Sequence, residues 1–111
     1  MGRNRTFMSE QLPKSVRELV TLFCSDYWRR VRYIKDERVK PEVVEKYKEI
    51  NEKIDKCLEI VEPALRKQFL LDIGEGRGWE KSPSSLSISK RPYYYRKAQI
   101  ISNIAKALNL I

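Results

Sequence analysis

The residues best suited to chemistry are four cations and three tyrosines packed into the sequence KRPYYYRK, between positions 90 and 97. Arginine and lysine bind phosphate groups, arginine also binds the guanine edge in the major groove, and a tyrosine hydroxyl can reach a phosphate. Because these residue types occur together, the cluster favours binding to a polyanion, and to DNA in particular.

A helix that begins at Lys90 would carry this cluster. Ser89 is a suitable N-cap, and Pro92 falls in the first turn, where its missing N–H has no intrahelical acceptor to lose. On a helix running to about Leu108, the apolar residues form one broad face and the cations form a polar arc opposite it. The start of a helix also favours phosphate. The predicted DNA-binding residues are Lys90, Arg91, Tyr94, Tyr95, Arg96 and Lys97, although Tyr94 falls on the apolar stripe.

A second helix start precedes this one at Ser82–Pro83, with serine as the cap and proline at the first helical position. Two helix starts separated by a short turn predict a helix-turn-helix whose second helix opens at Lys90. Pro83 would shorten the first helix of that motif.

The residues upstream have the pattern of long amphipathic helices. Apolar positions recur at spacings of three and four from Leu12 to about Asp36, and Pro41 can open a second helix. That helix has a heptad seam of Val43, Tyr47, Ile50, Ile54, Cys57 and Val61. The short connection predicts an antiparallel hairpin. The same seam could pair two chains, so a homo-oligomer, with a dimer favoured, is predicted in addition. A further helix is predicted from Pro63 to a stop at Gly74.

These elements predict an all-α protein in which a long helical hairpin is followed by a C-terminal helix-turn-helix. Residues 1–11 are predicted to be a flexible basic arm. Residues 12–62 would form the hairpin and an oligomerisation region, and residues 63–111 the helix-turn-helix DNA-binding region.

The formal charge of +8 supports a polyanionic partner, and it is unevenly distributed along the chain. Residues 1–40 hold 10 Lys/Arg against 5 Asp/Glu, residues 41–72 hold 6 against 8, and residues 73–111 hold 7 against 2. Two basic ends around a slightly acidic centre favour a body that presents particular faces to its partner over a chain that coats nucleic acid along its whole length.

Other functional classes lack the residues they need. The chain has no histidine, and its carboxylates are mostly scattered among lysines, so neither a catalytic site nor an enzyme is expected. Cys24 and Cys57 have no second thiol or histidine nearby, so neither a metal site nor a cofactor is expected. No apolar run approaches the ~18 residues of a membrane span, and no secretory signal is apparent. A cytoplasmic protein without a membrane partner is expected.

The C-terminal quarter of the chain carries a family resemblance. The segment LSISKRPYYYRK, followed by IISNIAKALNL, resembles the end of the small late-gene transcription regulators of Gram-positive phages, the ArpU and RinA types. Those proteins share the patterns I-S-x-x-(T/P)-(Y/A)-Y-x-(R/K) and I-x-x-I-A-x-x-L-x-(L/I). A weaker upstream similarity involves Tyr47, Ile50–Asn51 and Ile54–Asp55. Where such families have a full first motif helix, this chain has Trp79–Glu80 and then Pro83.

The resemblance implies a helix-turn-helix similar to region 4 of sigma factors. It implies a phage-encoded, sequence-specific regulator that binds double-stranded DNA in the bacterial cytoplasm and activates late genes; contact with host RNA polymerase is left open. Two alternatives also stay open. One is a small packaging-initiation protein similar to terminase small subunits, and the other is a helical protein–protein adaptor with no specific DNA target.

Overall fold

The computed structural model describes residues 12–81 and 88–111, and the regular structure of these ranges is entirely helical. The elements are α1 (Lys14–Ser25), α2 (Tyr27–Ile34), α3 (Pro41–Leu58), α4 (Pro63–Glu75), a 3-10 turn at Trp79–Lys81, and α5 (Lys90–Ala107). The predicted all-α class is therefore confirmed. The arm predicted at residues 1–11 and the helix start predicted at Ser82–Pro83 lie outside the described residues.

The predicted helix from residue 12 to residue 36 is divided into α1 and α2 at Asp26, so the prediction of one continuous helix is wrong. The Arg30 side chain turns back toward the end of α1, where Nη2 donates to the Phe23 carbonyl at 2.5 Å. Its Nε donates to Oδ1 of Asn51 on α3 at 2.6 Å. A side chain bonded to a helix carbonyl is a common cause of a kink. Here the kink lets α1 and α2 pack against different neighbours.

Those neighbours differ from the ones a simple hairpin would provide. The short helix α2 packs against α3 across the connection of residues 35–40, whereas α1 packs mainly against α4 and also against α5. Helix α5 in turn packs against both α3 and α1. The apolar face of α1 is therefore covered by the C-terminal half of the chain rather than by the seam of α3.

Two of the predicted helix starts are confirmed, because α3 begins at Pro41 and α4 begins at Pro63, each with proline in its first turn. The predicted stop at Gly74 is wrong, because α4 continues to Glu75. Gly76 caps the helix instead, with a φ of 68° in the left-handed region that glycine adopts easily.

The core lies where α1, α3, α4 and α5 meet. Its fully buried side chains include Val20, Ile54, Phe69, Ile73, Tyr93, Ile100 and Ile104. The heptad seam contributes only its second half, because Ile54 and Cys57 are buried whereas Val43 and Tyr47 are partly exposed. Within residues 12–81 and 88–111, no helix has both the length and the apolar character required to cross a bilayer.

Gly74 should be essential to the contact between α1 and α4. A Cβ at this position would lie 2.9 Å from the Ser25 amide nitrogen and 3.1 Å from the Cys24 carbonyl carbon. Although alanine in a helix interior normally stabilises by about 1 kcal/mol relative to glycine, we expect Gly74→Ala to lower the free energy of unfolding by about 1 to 3 kcal/mol. Urea unfolding followed by circular dichroism measures the change.

Gly76→Asn is the matched control, because asparagine tolerates the left-handed conformation and a Cβ there meets nothing within 4 Å. A more stable Gly74→Ala protein would show that the two helices are not constrained at this point.

Candidate nucleic-acid interface

The helix predicted to carry the site begins where expected. Ser89 occupies the N-cap position of α5, and its carbonyl accepts the Tyr93 amide at 3.0 Å. The Ser89 hydroxyl makes no cap hydrogen bond among the described residues. Pro92 lies in the first turn, where no intrahelical acceptor is lost. The prediction of a helix from Lys90 to about Leu108 is confirmed by the observed span Lys90–Ala107.

The inner side of α5 is anchored by Tyr93. Its hydroxyl donates to Oδ2 of Asp72 on α4 at 2.6 Å, and neither residue is exposed to solvent. Gln68 donates to the other oxygen of the same carboxyl at 2.7 Å. The Tyr93 ring also stacks on Phe69, with ring centroids 5.0 Å apart. These contacts fix the rotation of α5 about its own axis.

Lys97, a predicted DNA-binding residue, points inward beside this anchor. Its ammonium group donates to the Arg77 carbonyl at 2.5 Å and lies 5.9 Å from the centroid of the Tyr93 ring. Burial lowers the pKa of Lys97, and the nearby Asp72 acts in the opposite direction. Lys97 therefore joins α5 to the segment that follows α4.

Tyr94, also a predicted DNA-binding residue, binds the same segment. Its hydroxyl accepts from the Trp79 amide at 3.0 Å and donates to Oε1 of Glu80 at 3.3 Å. Gly78 allows this close approach, since a Cβ there would lie 2.6 Å from the tyrosine oxygen. Glu80 also pairs with Lys90 at 3.4 Å. Residues 77–81, here called the 77–81 segment, thus brace the first two turns of α5.

The outer side of α5 presents a different set of side chains. Arg91 and Arg96 are exposed, and the Tyr95 side chain is 49% exposed. Nη1 of Arg96 donates to Oε1 of Gln99 at 2.8 Å, and Nε2 of Gln99 lies 3.5 Å from the Tyr95 hydroxyl. The Arg96 guanidinium carbon is 5.8 Å from the centroid of the Tyr95 ring. We call Tyr95, Arg96 and Gln99 the outer row.

The structure therefore separates the predicted DNA-binding residues into two groups. The exposed group comprises Lys90, Arg91, Tyr95 and Arg96, whereas Tyr94 and Lys97 are partly buried in intramolecular contacts. Gln99 is absent from the predicted residues, because glutamine is neither charged nor aromatic. Its position could have been inferred from spacing. Gln99 is three residues from Arg96 and four from Tyr95, so the three side chains lie on one face of the helix.

The electrostatic character of this face is positive. Residues 88–111 contain five Lys/Arg and no Asp/Glu. Of the acidic groups close to α5, Glu80 pairs with Lys90, and Glu62 lines a cleft of about 240 Å³ together with Arg96 and Ile88. The outer face of α5 is thus suited to an anionic partner.

The connection between α4 and α5 spans residues 76–89 and includes the 3-10 turn. Since the helix start predicted at Ser82–Pro83 lies outside the described residues, the helix-turn-helix arrangement stays a prediction. Comparison of the chain with protein-family models, with curated proteins and with solved structures finds no match. The resemblance to the ArpU and RinA types likewise stays a prediction.

Tyr93 and Tyr95 should respond very differently to removal of the hydroxyl group. Tyr93→Phe removes a donor to a buried carboxyl group, and we expect it to lower the free energy of unfolding by about 2 kcal/mol. Tyr95→Phe is the matched control; because the side chain is exposed, its effect should stay within about 0.5 kcal/mol. Urea unfolding of both variants measures the difference, and equal losses would contradict the anchoring role of Tyr93.

Proposed function

We propose that this protein is a sequence-specific regulator of transcription that binds double-stranded DNA, with α5 as its recognition helix. The observation that carries the proposal is the exposed, positively charged outer face of a helix whose opposite face is fixed in the core. Arg91, Tyr95 and Arg96 lie on that outer face, and residues 88–111 contain no acidic residue to oppose them.

The dimensions and chemistry of α5 suit the major groove. An α-helix with its side chains is about 10–12 Å across, and the groove is about 12 Å wide. The cations near the start of α5, Lys90 and Arg91, are suited to the phosphates beside the groove, while Arg96 is suited to a guanine edge. In this proposal Tyr94 and Lys97 orient the helix through the 77–81 segment and do not contact DNA.

The regulatory role rests on the resemblance of the segment from Leu86 to Leu110 to phage late-gene regulators. Activation of late genes in a phage-infected bacterium is the most specific form of the proposal. A packaging-initiation protein would use the same DNA contacts, and its assembly into a ring would distinguish it from a dimeric regulator.

A homodimer is part of the proposal because α1 leaves apolar side chains uncovered. Leu22 is 61% exposed and Leu19 is 42% exposed. Beside them, Phe23, Tyr47 and Ile50 contribute to a groove of about 260 Å³ between α1 and the α2–α3 pair. Asp26, Arg29 and Arg30 also line this groove. Its apolar part beside the projecting Leu22 suits an isologous contact, in which each copy inserts its leucine into the groove of the other. The two-fold symmetry of such a dimer would place two recognition helices against paired half-sites on the DNA.

The DNA-binding proposal is tested by removing two exposed cations of α5. We expect Arg91→Ala combined with Arg96→Ala to weaken binding to a fluorescent duplex of mixed sequence. The slope of log K against log salt concentration should fall by about 1, because Arg91 is the phosphate contact of the pair and each such contact contributes about 0.9. Fluorescence anisotropy across a salt series measures both quantities.

Lys46→Ala combined with Lys48→Ala is the matched control, because it removes the same charge from exposed positions of a different helix, α3. Equal losses in the two double variants would exclude α5 as the recognition helix. Absence of duplex binding by the unmodified protein would contradict the proposed function and favour a protein–protein adaptor.

The dimer is tested by placing a charge at the projecting leucine. We expect Leu22→Lys to convert a dimer into a monomer, because the buried contact would have to accommodate an unpaired ammonium group. Sedimentation equilibrium measures the mass. Ile111→Lys, at another exposed apolar residue, is the control and should leave the dimer intact. A monomeric unmodified protein, or a dimer that persists in Leu22→Lys, would contradict this interface.

A further inference from the structure

We propose that Gln99 is a specificity-determining residue that recognises an adenine next to a guanine bound by Arg96. This inference rests on the proposed function, because it concerns the same face of α5. It goes further by assigning base recognition to an uncharged residue and by naming the base.

Gln99 is placed for contact with a partner rather than for packing. It is partly exposed, and its hydrogen bonds within the described residues are made to Arg96 and Tyr95, its neighbours in the outer row. Tyr93 and Lys97, by contrast, direct their polar groups toward α4 and the 77–81 segment. The outer row is therefore available to a partner, and Tyr95 within it lies one helical turn after the exposed Arg91.

The side-chain chemistry of the outer row matches purine edges. A glutamine amide presents one acceptor and one donor group side by side, which complements the N6 amino group and N7 of adenine in the major groove. The guanidinium of Arg96 complements O6 and N7 of guanine in the same way. Residues three apart on a helix have Cβ atoms roughly 5–6 Å apart, and bases rise by about 3.4 Å per step. The two side chains can therefore contact neighbouring base pairs.

The hydrogen bonds within the outer row preserve this binding capacity. Oε1 of Gln99 accepts one hydrogen bond from Arg96 and retains a second lone pair for the adenine amino group. Nε2 has two hydrogens, and its contact with Tyr95 at 3.5 Å is long enough to be exchanged for adenine N7. Arg96 has five N–H donors, so it can bind guanine while it holds Gln99 in place.

The test is selection of binding sites from duplex DNA with a randomised centre, performed with the full chain and with Gln99→Ala. The unmodified protein should enrich a sequence containing adjacent adenine and guanine positions. On the enriched duplex, replacement of the adenine pair should weaken the unmodified protein by roughly 5- to 150-fold. The same replacement should leave Gln99→Ala almost unaffected, and the salt slope of both proteins should be the same because glutamine carries no charge.

Two further variants make the result decisive. Asn103→Ala removes another partly exposed amide, one turn further along the same helix, and should leave the enriched sequence unchanged. Gln99→Glu keeps the size of the side chain but replaces its donor with an acceptor, so it should shift the preference at that position from adenine toward cytosine. This gain of a new preference requires a folded protein, so it separates altered recognition from unfolding.

The outcomes separate this inference from the proposed function. If the unmodified protein enriches no sequence, sequence-specific binding itself fails. If it enriches a sequence and Gln99→Ala and Gln99→Glu both enrich the same one with the same preferences, DNA binding stands and the role of Gln99 is overturned. A matching loss at the same base pair in Asn103→Ala would also overturn it.

Discussion

The hydrogen bond between Tyr93 and Asp72 is the constraint on which the arrangement of the candidate site depends. Both residues are fully buried, and the bond joins α4 to α5 at 2.6 Å. Because successive residues of an α-helix are rotated by about 100°, fixing the direction of one side chain fixes the direction of all the others. With Tyr93 directed into the core, Tyr95 points to solvent, Arg96 lies on the exposed flank of the helix, and Gln99 follows one turn after Tyr95. A rotation of α5 that buried Tyr95 instead would reverse this arrangement.

The 77–81 segment determines which members of the basic and aromatic cluster are free to bind a partner. Lys97 and Tyr94 satisfy a carbonyl, an amide and a carboxylate of this segment, so their polar groups stabilise the position of α5. A buried or half-buried cation is tolerated only where such partners are present. The sequence KRPYYYRK contains four cations, but the exposed face of α5 presents fewer, because Lys97 is directed inward.

A second buried polar contact determines the position of α1. Arg30 is 3% exposed and bonds both the Phe23 carbonyl and Asn51 of α3, at the point where α1 ends and α2 begins. This contact directs α2 along α3 and leaves α1 to cover α4 and α5. The outer side of α1 consequently retains the exposed residues Leu19 and Leu22, which form the proposed dimer contact.

The features that the sequence predicts correctly are those that depend on local interactions. The all-α class, the starts of α3 and α4 at prolines, and the extent of α5 follow from periodicity, capping positions and the fixed φ of proline, each of which acts within a few residues. The exposure of Lys90, Arg91 and Arg96 can also be predicted from the sequence, because a charged side chain favours the surface wherever the helix lies.

Features that depend on contacts between residues distant in the sequence are visible only in the folded structure. The first helix ends where Arg30 bonds Asn51 and the Phe23 carbonyl, and α4 continues through Gly74, whose missing Cβ leaves room for the backbone of Ser25. The residue types of Tyr94 and Lys97 suit DNA binding, and only the presence of Trp79, Glu80 and Arg77 beside them shows that their polar groups bind within the chain. The proposed role of Gln99 likewise depends on its exposure and on its contacts with Arg96 and Tyr95. Hydrogen bonding and burial depend on which groups meet in space, and spacing along one helix cannot specify a partner on another.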